Sequence, residues 1–332
     1  MKAMKKYFLY LFLILLVTNN NYSQNNMEKK LKEFFKKDEV TILITDSGLG
    51  GLSVTAKIDE LLNRHKSFKK ARIVFFNSQP EDSIGYNGMK TRERKLEVFN
   101  SALEGMVKGF NPDIILIACN TLSVIYDDTK FAAKESIPPV IGIVDFGVDM
   151  IYSKLKRNKN SSAVIFGTET TISANTHKQK LISKGINEER IITQACKNLP
   201  GAIEDGAESE KTGKLITKYI DSSFLKISDK SQKVFLGLCC THFGYSKNLF
   251  FEKSSAIKKR EVLDPNILMS EFVINKKKSY KNAETSVEVF SRADLSDLEI
   301  NSIGGLIKKS SPKTERALKN YQLKKDLFEF KP

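Results

Sequence analysis

DIILIACNT, residues 113–121, and KVFLGLCCTH, residues 233–242, share one shape: an apolar run that stops at a cysteine followed by small polar residues. Each run has the length of a buried strand, and each ends where a strand would deliver its last side chain to a sheet edge. The chain holds only four cysteines, so two at matching strand ends is the feature around which the rest can be read.

Similar runs lie on either side of these two. TILIT (41–45) precedes a glycine-rich turn, DSGLGG, and is followed by ARIVFFN (71–77), VIGIVD (140–145), AVIFGT (163–168) and RIITQAC (190–196), with VEVFSR (287–292) closing the series. Between them Leu96, Phe99, Leu103 and Val107 recur at helical spacing, and residues 176–184 predict a helix that Gly185 stops. Strands alternating with helices predict an α/β fold of mainly parallel sheets flanked by helices. The IPPV stretch at 137–140 marks the expected break between two halves.

In open parallel sheets, ligands bind outside the carboxyl ends of the strands. That rule collects Asp46 and Ser47, Asn77 and Ser78, and Cys119, Asn120 and Thr121 from the first half. From the second it collects Thr168, Cys196, Cys240, Thr241 and His242. Two such edges facing each other would form a cleft.

The formal net charge of the 332 residues is +15, with 41% hydrophobic and 28% charged residues, a globular composition. The lysines are scattered over polar loops and helix faces without an aromatic–basic stripe, so no nucleic-acid partner is expected. Residues 1–26 differ from the rest. MKAMKKY is basic, FLYLFLILLV (Phe8–Val17) is ten consecutive apolar residues, and TNNNYSQNN is polar. That order predicts a secretory signal peptide cleaved near Ser23 or Gln24, or an uncleaved anchor, and in either case an exported chain. A membrane partner is expected only if residues 1–26 stay attached.

Two thiols, one from each half, could remove a proton from one face of a carbon and return one on the other. A thiol is a modest base that a helix N-terminus or a nearby histidine can activate. Asp46 or Glu204 could hold charge or orient the bases, and Ser47, Asn120, Thr121 and Thr241 offer neutral groups for an amino acid's carboxylate and ammonium. Cys196 and Cys239 read as core packing, His65 and His177 as surface or supporting residues. Cys239, Cys240 and His242 would also pass as metal ligands, except that neighbours on a strand point to opposite faces. The DSGLGG turn lacks the G-K-[ST] of a phosphate loop.

These residues carry a resemblance. ILITDSGLGGLSV, LIACNTLS, PPVIGIV, FGTETTISANTH, ACKNLPGAIEDG and LGLCCTHFGY, in that order, are similar to the motifs of the glutamate racemases, within the cofactor-independent aspartate/glutamate racemase superfamily. The resemblance runs from about Thr41 to Pro265, and more faintly to about residue 310. It implies two similar α/β domains with the active site in the cleft between them, an amino-acid substrate, and no pyridoxal phosphate, metal or nucleotide cofactor. In that family Cys119 and Cys240 would be the catalytic pair, supported by Asp46, Glu204 and His242. Asp46, Ser47, Tyr86, Asn87, Asn120, Thr121, Thr241 and His242 would bind substrate. Gly85 and Asn87 stand where the family has the proline and glycine of Pro-Tyr-Gly. The histidine after Cys-Thr points to glutamate rather than aspartate.

The expected organisation is a leader (1–26), a first half (27–137), a second half (138–261), and a return to the first half with a C-terminal tail (262–332). A homodimer is compatible with this reading. Aspartate racemisation and a non-catalytic exported amino-acid-binding protein remain open alternatives. The family's usual role, D-glutamate for wall synthesis, is cytoplasmic and sits awkwardly with an export signal.

Overall fold

The alternation of buried side chains along each apolar run sets two layered sheets, seen in a computed structural model that describes residues 21–82, 84–135, 137–229 and 232–331. Strands β1 (Glu39–Asp46), β2 (Lys70–Asn77), β3 (Ile114–Ile117) and β4 (Val140–Gly142) begin the first sheet. Strands β5 (Ser161–Gly167), β6 (Ile191–Ala195), β7 (Lys233–Cys239) and β8 (Arg260–Leu263) form the second, in the order β6-β5-β7-β8. The chain then returns through β9 (Glu284–Ser291) and β10 (Gln322–Leu323), so the first sheet runs β10-β9-β2-β1-β3-β4. Every pairing between these strands is parallel.

Both faces of each sheet are covered. Ile42, Ile44, Ile73, Phe75, Ile114 and Leu116 pack into one core, while their neighbours Leu43, Val74, Phe76, Ile115 and Ile117 pack into another on the opposite face. This two-residue alternation with apolar side chains on both faces is why the strands read as near-continuous hydrophobic runs. The helix Arg92–Phe110 starts at Thr91, whose hydroxyl accepts the Arg94 N–H at 3.2 Å. It buries Val98, Phe99, Ala102, Leu103, Met106 and Phe110, with Leu96 and Val107 at the margin of that stripe. The helix Thr176–Ser183 ends just before Gly185, which adopts φ +84.

Several boundaries differ from the sequence reading. The prolines at 138 and 139 do not separate the halves; they lead into β4, which joins the first sheet, with the Pro139 carbonyl accepting the Ile115 N–H at 2.9 Å. Proline has no N–H to donate, so it suits the start of an edge strand. The first sheet therefore extends to Gly142, not 137, and the second reaches Leu263, past 261. Strand β3 stops at Ile117, and β4 gives way at Val144 to a helix with Asp145 in its first turn, where a carboxylate meets the positive end of the helix. Strands β8 and β10 were not anticipated; both are short edge strands rich in polar residues.

Residues 1–20, with the apolar run Phe8–Val17, lie outside the described residues. The helix Asn21–Lys36 is anchored by Phe34, 2% exposed, whose ring centroid is 5.4 Å from that of Phe68.

Candidate active site

Each sheet has a switch point at which successive connections depart in opposite directions. In the first, β1 lies between β2 and β3; in the second, β5 lies between β6 and β7. The crevice at such a point is the natural ligand site of an open parallel sheet. Asp46 ends β1 and Cys119 follows β3, so both flank the first crevice. Thr168 follows β5 and Cys240 follows β7, so both flank the second.

The two crevices meet. Thr241 donates its hydroxyl hydrogen to Asp46 Oδ2 at 2.6 Å, and Thr121 and Thr168 share a hydrogen bond at 2.8 Å. Leu49, in the turn after β1, donates its N–H to Glu204 Oε1 at 2.9 Å. The glycines of DSGLGG permit this approach: a Cβ on Gly50 would sit 2.6 Å from His242 Nδ1 and 2.8 Å from Thr241 Oγ1, and one on Gly48 would sit 2.9 Å from Glu204 Oε1. The turn is glycine-rich because the second half lies directly against it.

Around Cys119 the partners are hydroxyl and carboxyl. Ser47 Oγ lies 3.2 Å from Cys119 Sγ, and the Ser47 N–H donates to Asp46 Oδ1 at 2.6 Å. Burial, reinforced by the Asp46 carboxylate, pushes the Cys119 thiol well above its ordinary value. Burial also raises Asp46, opposed by the charge of His242 and by the Thr241 and Ser47 donors. This half of the site favours a protonated thiol.

Around Cys240 the partners are ionic. Cys240 Sγ lies 3.7 Å from His242 Nδ1, and His242 Nε2 lies 2.6 Å from Glu204 Oε1. Burial works against a charged His242, yet the Glu204 carboxylate overcomes it and raises the imidazole well above its usual value. Burial likewise works against charge on Glu204, and the charge and hydrogen bond of His242 overcome it, lowering the carboxyl. The pair is an imidazolium and a carboxylate, so a thiolate on Cys240 would have a cation beside it.

All four cysteines are free thiols. Cys119 and Cys240 are 4% and 6% exposed, the only two of the four that retain any measurable accessibility. Cys239 packs on one face of the second sheet and Cys240 on the other, so Cys239, Cys240 and His242 do not converge as ligands. Cys196 is buried in the core on the same face as Cys240.

Of the residues singled out from sequence, Cys119, Ser47, Asp46 and Thr241 form one run of hydrogen bonds across the halves and Cys240, His242 and Glu204 a second, and the backbone from Cys240 to His242 joins the two runs. Asn120 and Thr121 open the one-turn helix after Cys119 and are both 2% exposed. Tyr86 buries its ring against Phe99, with its hydroxyl unpartnered among the described residues and within electrostatic reach of Cys119. Asn87 beside it is exposed. Three further residues contribute, of which His177 is the one the sequence already offers as a supporting residue. His177 Nε2 lies 3.0 Å from Asn120 Oδ1, the Tyr245 hydroxyl donates to the Leu49 carbonyl at 3.1 Å, and Asn266 Nδ2 donates to the Thr241 carbonyl and Ser53 Oγ, each at 3.0 Å. Tyr245 has a signal in its nearness to His242 and His177 in its place at the end of FGTETTISANTH; Asn266 depends on contacts between distant segments.

Residues 42–265 match the family model described as Asp/Glu/Hydantoin racemase. The chain is 28% identical over 201 residues to the glutamate racemase of Aquifex pyrophilus, covering 60% of this chain and 70% of that relative. It is 31% identical over 207 residues to the glutamate racemase of Sulfurihydrogenibium sp. (strain YO3AOP1), covering 62% and 72%. Among solved structures it resembles glutamate racemase from Francisella tularensis in complex with D-glutamate, with a TM-score of 0.61 at 22% identity over 82% of this chain and 94% of that one. It also resembles the RacE1 isoform from Bacillus anthracis, with a TM-score of 0.60 at 18% identity over 86% and 96%. At these identities the solved structures speak to the fold alone.

Proposed function

The chain belongs to the Asp/Glu/Hydantoin racemase family, and from that premise we propose that it interconverts L- and D-glutamate without a cofactor, by exchanging the Cα proton between Cys240 and Cys119. The observation that carries the reading is the unequal support of two free thiols at facing sheet edges: Cys240 beside the His242–Glu204 pair, Cys119 beside Ser47 and Asp46.

In one direction the Cys240 thiolate, held by the His242 imidazolium, takes the Cα proton. The electron pair passes into the substrate's carboxylate, and the Cys119 thiol delivers its proton to the opposite face. Cys240 ends as a thiol and Cys119 as a thiolate, with the stereocentre inverted and no net change in atoms or electrons. A single base would return the proton to the face it left, so inversion needs both groups. Donors aimed at the carboxylate stabilise the charge that develops there. Asn120 Nδ2, buried and without a partner among the described residues, is such a donor.

The test is incubation of purified protein with L- or D-glutamate in deuterated water, followed by chiral separation and mass spectrometry. The expected result is the opposite enantiomer carrying one deuterium at Cα. Turnover of aspartate with no turnover of glutamate would reassign the substrate, and absence of turnover on either would overturn the racemase reading.

A further inference from the structure

We propose that His177 is the positioning residue for Asn120: its Nε2–H holds Asn120 Oδ1 and so leaves the Asn120 amide nitrogen, with both hydrogens free, for the substrate carboxylate beside Cys119. The inference rests on the racemase reading above and deepens it, because it names what orients a substrate-binding group.

Asn120 belongs to the first half and opens the one-turn helix after Cys119; His177 lies on the helix Thr176–Ser183 of the second half. The two side chains meet at 3.0 Å, and each residue is 2% exposed. Asn120 Nδ2 is buried and has no hydrogen-bond partner among the described residues. A buried donor left empty is unfavourable, and native proteins rarely keep one without a use. The residue next to it in the chain is Cys119, so a ligand reaching that thiol is the occupant the amide can serve.

Orientation is the crux. An asparagine amide presents two hydrogens on one side and an acceptor on the other. Turned over, it would place Oδ1 toward the ligand, where it would repel a carboxylate. A side chain that donates to Oδ1 prevents that. Burial pushes His177 down to about 4, with Asp145 opposing the shift and Lys180 adding to it, so the ring is neutral at physiological pH and carries one N–H. Gly147 lies against the ring, since a Cβ there would sit 3.5 Å from Nε2 and 3.6 Å from Cys239 Sγ. Because His177 comes from the opposite half, the Asn120 amide is oriented only when the two halves are together.

The test combines one measurement on the native protein with a mutant cycle. Nitrogen NMR of ¹⁵N-histidine-labelled wild type should show His177 as the Nε2–H tautomer near neutral pH; the Nδ1–H tautomer or an imidazolium would overturn the proposal. In glutamate racemisation, His177→Leu should raise KM about tenfold with a smaller loss in kcat, and His177→Gln, whose Nε2 can still donate, should recover most of it. Asn120→Ala should be impaired to a similar degree, and His177→Leu/Asn120→Ala should be no worse than Asn120→Ala alone. An active wild type with additive losses, or with an unchanged KM in His177→Leu, overturns the proposal and leaves the racemase reading standing. A wild type inactive on both enantiomers overturns the racemase reading and the proposal together. If His177→Leu does not fold, the tautomer and the His177→Gln variant decide.

Discussion

Thr241 and Asp46, 195 residues apart, share a buried hydrogen bond of 2.6 Å that joins the residue after Cys240 to the residue ending β1. Through Asp46 and Ser47 it continues to Cys119, so one run of contacts spans the two thiols. Thr241→Val should leave Asp46 Oδ2 buried without its donor, a loss of about 1–3 kcal/mol. The expected outcome is a kcat/KM lowered about tenfold or more and a reduced urea midpoint, measured by racemisation assay and equilibrium unfolding. Unchanged values for both would show that this bond does not couple the halves.

Cys119 and Cys240 should be individually indispensable. Cys119→Ala and Cys240→Ala should each lower racemisation by about 10²–10⁴-fold, the range associated with loss of a positioned acid or base. Full racemisation by either variant would rule out the two-thiol mechanism. Because Cys240 has the His242 cation beside it while Cys119 has Ser47 and Asp46, alkylation of the free protein by iodoacetamide should label Cys240 before Cys119, as read by peptide mass spectrometry.

The His242–Glu204 pair predicts a window of pH. His242 is raised from 6.5, so its stabilising contribution is complete below about 6.5 and is lost as pH rises through its folded value. Glu204 is lowered from 4.5, so its contribution is complete above about 4.5 and is lost as pH falls through its folded value. The pair contributes most between those limits. Glu204→Gln should flatten the pH dependence of unfolding and move the alkaline limb of kcat/KM to lower pH. An alkaline limb that stays in place would mean that Glu204 does not sustain the charge on His242.

Gly50→Ala should separate geometry from stability. Its Cβ would fall 2.6 Å from His242 Nδ1 and 2.7 Å from the His242 backbone nitrogen, closer than carbon tolerates. The second half must retreat to make room, so catalysis should fall by about 10²-fold, the scale of a displacement near 1 Å. Circular dichroism should still report a folded chain. Wild-type activity in Gly50→Ala would show that the contact is not needed.

We propose that the chain is exported, from the basic, apolar and polar order of residues 1–26. Cleavage near Ser23 or Gln24 would spare Met27 and Leu31, which pack against the first core with the buried Phe34. Cell fractionation with N-terminal sequencing should recover a shortened protein outside the cytoplasm. Full-length soluble protein recovered only from the cytoplasm would overturn the proposal without touching the chemistry.

Much of the fold was readable because buried parallel strands need unbroken apolar side chains on both faces, and Ile42–Ile44, Ile73–Phe76 and Val234–Leu236 supply them. Strands β8 and β10 were not readable, because REVL and QL owe their strand conformation to the partner they pair with. The proline pair at 138–139 misled for a related reason: a local break in hydrogen bonding marks either a domain boundary or the start of an edge strand, and only the partner β3 decides which.

The sequence by itself placed the candidate residues, since Cys119 and Cys240 follow apolar runs and so emerge at the carboxyl edges of their sheets, and strand alternation alone sends Cys239 and Cys240 to opposite faces. Tertiary structure decided how those residues are tuned. The ionic support of Cys240, the hydroxyl and carboxyl support of Cys119, the bond from Thr241 to Asp46 and the contact of His177 with Asn120 all join segments far apart in the chain. Burial and distance set the charge of each group, and both come into being only as the chain folds and brings those segments together.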